Sequence, residues 1–145
     1  MTEESKTLIA FDFGEKRIGT AIGQTVTRTA TPLETIPVRR SRPDWNAIDR
    51  LIGAWKPDAL VVGLPLNMDG TPQWITDRAR RFANRLRARS GLPVHFADER
   101  LSTREAWTRL IESGSRDGPD PVAAQVILEG WFAEHADTGT RTRPE

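Results

Sequence analysis

The sequence predicts an α/β domain with a mixed five-stranded sheet and helices on both faces. Three strand-like segments come first, joined by short turns as in a meander. After them the spacing of apolar residues becomes helical, and helices then alternate with strands, which is typical of right-handed crossover connections. The predicted order is β-β-β-α-β-α-β-α-α. A chain of 145 residues has the length of one domain.

The five predicted strands differ in how apolar they are. Thr7–Phe13 (TLIAFDF) is apolar apart from one carboxylate, and Arg17–Gln24 follows after a short turn that indicates a hairpin. Residues 30–38 contain two prolines, which favours a bent strand or an edge strand. Ala59–Leu64 (ALVVGL) has the continuous apolar character of a buried parallel strand, and residues 93–98 form the last one.

Four helices are predicted from apolar spacing and capping residues. The first begins at Trp45 after the capping residue Asp44, with Trp45 and Trp55 as core residues, and ends at Lys56-Pro57. The others span residues 73–90, 102–112 and 120–134. With a core over residues 7–135 and a flexible tail at 136–145, this is the layout of a single ribonuclease-H-like domain.

Composition excludes several kinds of chemistry. The chain has no Cys and no Tyr, so it holds no disulfide, thiolate metal site or phosphotyrosyl intermediate. Its two His residues argue against a Ser-His-Asp triad or a histidine-built metal site. The polar N-terminus and the short apolar stretches predict a cytoplasmic protein with no signal peptide and no membrane partner. Carboxylates, hydroxyls and a bound metal remain for catalysis.

Asp12 is the first candidate, because it interrupts an otherwise apolar strand. A buried carboxylate requires a cation, a metal or a set of hydrogen bonds. The alternative is an Asp at a strand end that accepts hydrogen bonds from the amides of the following turn.

Glu99 and Asp120 are the other two candidates. Glu99 follows the fifth strand, at the carboxyl end where ligands gather in α/β sheets, and the adjacent Asp98 is the reserve candidate. Asp120 stands before Pro121 at a helix start, which is also how an ordinary N-cap looks. Carboxylates from separate elements that converge on one point hold Mg²⁺ or Mn²⁺ for phosphoryl chemistry. The three acids therefore predict metal-dependent hydrolysis of phosphodiesters.

Basic residues are near-balanced by acidic ones, with a net charge of +1, but they are clustered. Lys16 and Arg17 flank the turn next to Asp12. Such clusters contact phosphates, and the alternative is that they form solvated surfaces. The largest cluster lies within one predicted helix and includes no acid: Arg78, Arg80, Arg81, Arg85, Arg87 and Arg89.

Four ordered motifs resemble the bacterial YqgF family of pre-16S rRNA nucleases and Holliday-junction-resolvase-like proteins. The resemblance spans about residues 7–135. Its motifs are Asp12-Phe13-Gly14-x-Lys16-Arg17-Ile18-Gly19-x-Ala21, Val62-Gly63-Leu64-Pro65-Leu66-Asn67-Met68-Asp69-Gly70-Thr71, Asp98-Glu99-Arg100-Leu101-Ser102-Thr103 and Asp120-x-x-Ala123-Ala124-x-x-Ile127-Leu128.

The resemblance implies a ribonuclease-H-like fold and a cytoplasmic hydrolase that acts in ribosome biogenesis. The acidic positions of the family fall on Asp12, Glu99 and Asp120. The loop at 114–119 departs from the longer, lysine-rich stretch that is usual in the family, which leaves Asp117 as a rival to Asp120.

The sequence therefore predicts an endonuclease, dependent on Mg²⁺ or Mn²⁺, that trims the 5′ end of pre-16S rRNA. Lys16, Arg17 and Arg100 are expected to hold the phosphate backbone, and Asn67 to border the groove. One alternative is the same chemistry on a four-way DNA junction, which favours a two-fold dimer over a monomer. Another is a non-catalytic factor that binds nucleic acid or ribosomal precursor particles.

Overall fold

The computed structural model describes residues 5–64, 74–98 and 121–141, which contain six strands and three helices. The strands are β1 (Thr7–Phe13), β2 (Arg17–Gln24), β3 (Thr29–Arg39), β4 (Arg42–Pro43), β5 (Ala59–Leu64) and β6 (Val94–Asp98). The helices are α1 (Trp45–Trp55), α2 (Trp74–Ser90) and α3 (Pro121–Arg141).

The strands form one mixed sheet in the order β4-β3-β2-β1-β5-β6. The first four strands pair antiparallel in sequence order, whereas β1, β5 and β6 are parallel to one another. Helices α1 and α2 cover one face and α3 covers the other. The predicted meander, crossovers and two-sided helical cover are thus confirmed.

The sheet has one strand more than the five that the sequence predicted. The extra strand is β4, two residues long, which pairs Arg42 with Arg39 and Pro43 with Val38. Arg40 and Ser41 both have positive φ angles, 53° and 64°, which is the geometry of a two-residue hairpin turn. Glycine or asparagine normally marks such a turn, and neither occurs here, so no residue type indicated the hairpin.

Helix α1 follows its predicted course. The Asp44 side chain accepts a hydrogen bond from the Ala47 amide at 3.2 Å, and Lys56, with a φ of 48°, ends the helix in the left-handed conformation. Trp45 is half-buried, but Trp55 is 49% exposed, so the assignment of Trp55 to the core is wrong. Trp55 occupies the last position of α1, where it lines an open surface cavity together with Thr7 and Gln24 of the sheet.

The last helix is longer than predicted. Helix α3 continues to Arg141 rather than ending near residue 134, so residues 136–141 of the expected tail are helical. The predicted helix at 102–112 lies outside the described residues. None of the helices in the described part of the chain has the length and apolarity needed to cross a lipid bilayer.

Two apolar layers hold the sheet between its helices. Because side chains alternate along a strand, Ile9 and Phe11 of β1 pack towards α1 and α2, whereas Leu8 and Ala10 pack towards α3. The first layer also includes Ile48 of α1 and three residues of α2: Phe82, Ala83 and Leu86. The second includes four residues of α3: Ala124, Ile127, Leu128 and Phe132.

Close contact between α3 and β2 requires a glycine at position 23. A Cβ built there would lie 2.5 Å from the backbone oxygen of Thr29, 2.8 Å from a ring carbon of Phe132 and 3.1 Å from a methyl of Leu128. Since one of these atoms belongs to the neighbouring strand, the clash cannot be relieved by rotating a side chain.

We therefore expect Gly23→Ala to lower the free energy of unfolding by about 1–3 kcal/mol, the usual cost of overpacking. Gly53→Ala is the matched control, because nothing lies within 4 Å of its built Cβ in α1. Alanine favours a helix over glycine by about 1 kcal/mol, so this variant should be as stable as wild type or more so. Urea denaturation of both variants measures the free energy of unfolding. Equal changes in the two variants would contradict the close contact of α3 with β2 at Gly23.

Two histidines flank Trp131 on the α3 side of the sheet. The His135 ring stacks on Trp131 with centroids 4.0 Å apart, and the His95 ring of β6 lies 5.3 Å from the same indole. Although His95 as a residue is exposed, partial loss of water around its ring lowers its pKa from the ordinary 6.5, and the nearby His135 lowers it further.

A lowered pKa makes stability depend on pH. The unfolded chain binds the His95 proton more readily than the folded protein does, so the free energy of unfolding should fall as pH drops below about 6.5. We expect wild type to lose more stability than His95→Gln between about pH 7.5 and pH 5.5 in urea denaturation. The same loss in both proteins would show that His95 does not contribute.

Candidate functional site

The parallel strands β1, β5 and β6 end at one edge of the sheet. Their last residues are Phe13, Leu64 and Asp98, and the pairs Phe11–Val62 and Leu64–Asp98 set their register. We call this the carboxyl edge. In open α/β sheets, ligands bind at this edge, because the connecting loops leave a crevice there.

Asp12 lies one residue before the end of β1, at the carboxyl edge. It is 8% exposed, and it belongs to the alternate series of Leu8 and Ala10, so its carboxylate is on the α3 face. A carboxylate withdrawn from water is costly unless cations or hydrogen bonds compensate it. The prediction that Asp12 is a buried acid within an apolar strand is confirmed in position and burial.

Glycines stand beside Asp12 on both neighbouring strands. Gly19 of β2 is its antiparallel partner, and Gly63 of β5 follows Val62, the partner of Phe11. Strand interiors disfavour glycine unless something must approach the backbone closely. Neither neighbour therefore projects a side chain beside Asp12. Both glycines belong to the motifs that resemble the family, but no role was predicted for them, although glycine inside an apolar strand was the signal available.

Lys16 and Arg17 belong to the hairpin connection between β1 and β2. The Lys16 carbonyl accepts a hydrogen bond from the Val38 amide at 2.9 Å, which fixes this turn to β3, and Arg17 pairs with Pro37 in the sheet. Lys16 is exposed and Arg17 is half-buried. Because the connection starts where β1 ends, both basic residues lie at the carboxyl edge.

Most of the other predicted site residues lie outside the described residues. The backbone of Asp98 is described as the end of β6. Among the described residues, no three acidic or His side chains come close enough together to bind one metal ion. The site residues that fall outside are Asn67, Glu99, Arg100, Asp117 and Asp120.

Comparison with known proteins agrees with the motifs. The sequence profile of the RuvX family, described as "Holliday junction resolvase", matches residues 6–134. A protein of Cronobacter sakazakii named "Putative pre-16S rRNA nuclease" is 53% identical over 136 residues, covering 90% of this chain and 99% of that protein. A protein of Saccharophagus degradans with the same name is 48% identical over 139 residues, with coverage of 92% and 98%.

A solved structure confirms the fold. RuvC of Thermus thermophilus, in complex with a Holliday junction substrate, superposes with a TM-score of 0.56 over 93% of this chain and 97% of that one, at 16% sequence identity. This likeness concerns the fold, which is ribonuclease-H-like as predicted. The profile match and the near full-length relatives decide the family: the chain belongs to the RuvX (YqgF) family.

Proposed function

We propose that this protein is a metal-dependent endonuclease that processes the 5′ end of pre-16S rRNA in the cytoplasm. The observation that carries the proposal is the buried carboxylate of Asp12, with glycine on both sides, at the carboxyl edge of a ribonuclease-H-like sheet. The substrate follows from the name of relatives that are about half identical over nearly their whole length.

Glu99 and Asp120 are proposed to complete the acidic site with Asp12. His95 and Ala97 of β6 pack on the α3 side, so alternation favours the same side for position 99 and favours Glu99 over Asp98. Asp120 directly precedes α3. Ala124, Ile127 and Leu128 of that helix pack with Leu8 and Ala10, so α3 covers the face of the sheet on which Asp12 lies.

The chemistry of these donors fits Mg²⁺ or Mn²⁺. Both ions prefer oxygen ligands, and carboxylates neutralise their charge. Asp12, Glu99 and Asp120 would hold one or two such ions. When bound, the metal polarises the scissile phosphate and lowers the pKa of the attacking water.

The basic residues at the carboxyl edge would bind and orient the phosphate backbone. Lys16 is exposed there as a flexible point charge, and the planar guanidinium of Arg17 is suited to bidentate contact with a phosphate. Arg100 is proposed as a further phosphate contact, and Asn67 as a residue that borders the groove.

A four-way DNA junction is the second candidate substrate, favoured by the description of the matching family profile. The same acidic site would serve. Resolution requires two symmetric cuts, so it calls for a two-fold dimer, whereas trimming of an RNA end is compatible with a monomer or with binding to a ribosomal precursor particle.

We expect Asp12→Asn to abolish cleavage in the presence of Mn²⁺. Loss of a group that merely supports a metal ligand costs about 10- to 100-fold in activity, so loss of a direct ligand should cost at least about 100-fold. The assay compares a pre-16S rRNA 5′ leader with a four-way DNA junction. Asp58→Asn is the matched control. Asp58 is exposed just before β5, at the opposite edge of the sheet, and the asparagine oxygen can still accept the hydrogen bond from the Thr7 amide, so the cleavage rate of this variant should equal that of wild type.

Cleavage of the RNA alone would support the proposed function, and cleavage of the junction alone would replace it with resolution. Binding of either substrate without cleavage would overturn the proposed chemistry in favour of a non-catalytic nucleic-acid-binding factor.

A metal-binding measurement tests the acidic site without any substrate. In calorimetric titration with Mn²⁺, we expect wild type and Asp58→Asn to bind equally, and Asp12→Asn to bind at least about tenfold more weakly. EDTA should stop cleavage by wild type, and added Mn²⁺ should restore it. Unchanged Mn²⁺ affinity in Asp12→Asn would show that Asp12 is not a metal ligand.

A further inference from the structure

A cavity opens at the carboxyl edge, on the face of the sheet opposite to Asp12. It has a volume of about 230 Å³. Pockets for drug-sized ligands begin at about 300 Å³, so this one suits a smaller group such as a single nucleobase. It is lined by Phe13, Glu15, Val38, Ser41, Pro43, Trp45, Arg78, Arg81, Phe82 and Arg85.

Three aromatic rings form the floor of the cavity. Phe82 is buried at its centre, 5.5 Å from the Trp45 ring in a stacked arrangement and 5.2 Å from the Phe13 ring. Phe13 and Trp45 are only half-buried, so parts of both rings face the cavity. Half-exposed aromatic rings are the groups on which unpaired bases stack in proteins that bind single strands.

Arginines of α2 form one wall. Arg78, Arg81 and Arg85 are spaced three and four residues apart, which aligns them along one stripe of the helix. The guanidinium carbon of Arg85 lies 5.3 Å from the Trp45 ring centroid, so cation–π contact holds that side chain at the cavity.

Arg81 and Arg85 retain their charge for a ligand. Neither forms an ion pair with a residue in the described part of the chain. Arg89 also lies over Trp45, at 5.2 Å, but it donates hydrogen bonds of 3.1 and 2.9 Å to the Asp49 carboxylate. Arg89 is therefore neutralised by Asp49. The positive charge that faces the cavity comes from Arg81 and Arg85, which precede Arg89 in α2.

Glu15 decides the orientation of an anionic ligand. In the part of the chain that the structure describes, it is the one acid that lines the cavity, and it lies on the β1–β2 turn, away from α2. A phosphate would be repelled by this carboxylate and attracted by the arginines, which favours the α2 wall. The carboxylate could then accept a hydrogen bond from an amino group on a base edge, as acidic side chains do with cytosine.

The cavity and Asp12 are joined through consecutive residues. Asp12 and Phe13 are neighbours in β1 and project to opposite faces of the sheet. A strand that crosses the carboxyl edge would therefore leave one nucleotide over Phe13 while its next phosphates approach Asp12.

We propose that this cavity binds one unpaired nucleotide of RNA, with its base against Phe13 and Trp45 and its phosphate on Arg81 and Arg85. The choice of RNA rests on the proposed function. Binding in the cavity itself requires no cleavage. The cavity thereby selects a single-stranded segment and places it next to the acidic site.

The test is equilibrium binding of a fluorescein-labelled single-stranded RNA, followed by anisotropy in EDTA so that no cleavage occurs. Arg81→Gln/Arg85→Gln should raise the Kd at least about tenfold and reduce the slope of log K against log salt by about 0.7, the value for one phosphate that is no longer neutralised. Arg80→Gln/Arg87→Gln is the matched control: both arginines are exposed on α2 but lie outside the cavity, so the Kd should change less than about threefold.

Two further measurements distinguish the pocket from diffuse charge. A blunt RNA duplex of the same length should be affected much less by Arg81→Gln/Arg85→Gln, because its bases are not free to stack. The single strand should also quench the intrinsic fluorescence of wild type more than that of Trp45→Phe, which keeps an aromatic floor.

Three results would each overturn the proposal. The first is an equal rise in Kd for the two double variants, and the second is an equal effect of Arg81→Gln/Arg85→Gln on duplex and single strand. The third is no binding of the single strand by wild type. These results are separable from the nuclease assay. If the protein cuts neither substrate but its RNA binding depends on Arg81 and Arg85, the nucleotide pocket is supported and the nuclease function is contradicted. If cleavage depends on Asp12 but RNA binding is unchanged in Arg81→Gln/Arg85→Gln, the nuclease function is supported and the pocket is contradicted.

Discussion

Burial of β1 on both of its faces is the requirement that organises this protein. The strand is central to the sheet, and four consecutive apolar residues, from Leu8 to Phe11, are at most 2% exposed. A single helical layer covers only one face, so the chain must supply α1 and α2 on one side and α3 on the other. The crossovers through α1 and α2 also make β5 and β6 parallel to β1, which brings three strand ends to one edge.

Because β1 is covered on both faces, its last two residues serve two different surfaces. Asp12 is buried on the α3 side, between Gly19 and Gly63 of the neighbouring strands. Phe13 points to the α2 side, where it contributes to an aromatic floor below a wall of arginines. The Asp12 carboxylate and the arginines of α2 are thus on opposite faces of the sheet.

The packing on each side restricts how the two surfaces can move. The α3 side depends on the missing side chain at Gly23, which lets Leu128 and Phe132 reach the sheet. The other side depends on Phe82, which contacts Phe11, Phe13 and Trp45 and so links β1, α1 and α2 into one unit. The proposed acidic site and the proposed nucleotide pocket therefore share β1 as a common rigid support.

Local patterns in the sequence were sufficient for most of the described elements and for the buried position of Asp12. The bounds of β1, β2, β5 and α1, and the exceptional position of Asp12, follow from apolar periodicity and capping, which involve only residues near in sequence. The hairpin of β4 was not predicted, because Arg40 and Ser41 adopt positive φ angles that their residue types do not signal.

The arrangement of side chains from distant segments required the tertiary structure. The sequence left open whether the arginines of α2 contact phosphates or form a solvated surface, and it indicated Trp45 as a core residue. The fold places Arg85 over the half-buried Trp45 ring, beside a cavity. The glycines on either side of Asp12 acquired meaning in the same way, through strand pairing. Local sequence fixes periodicity and caps, whereas contacts between α2, α1 and β1 depend on how the chain closes over long separations, which no local pattern encodes.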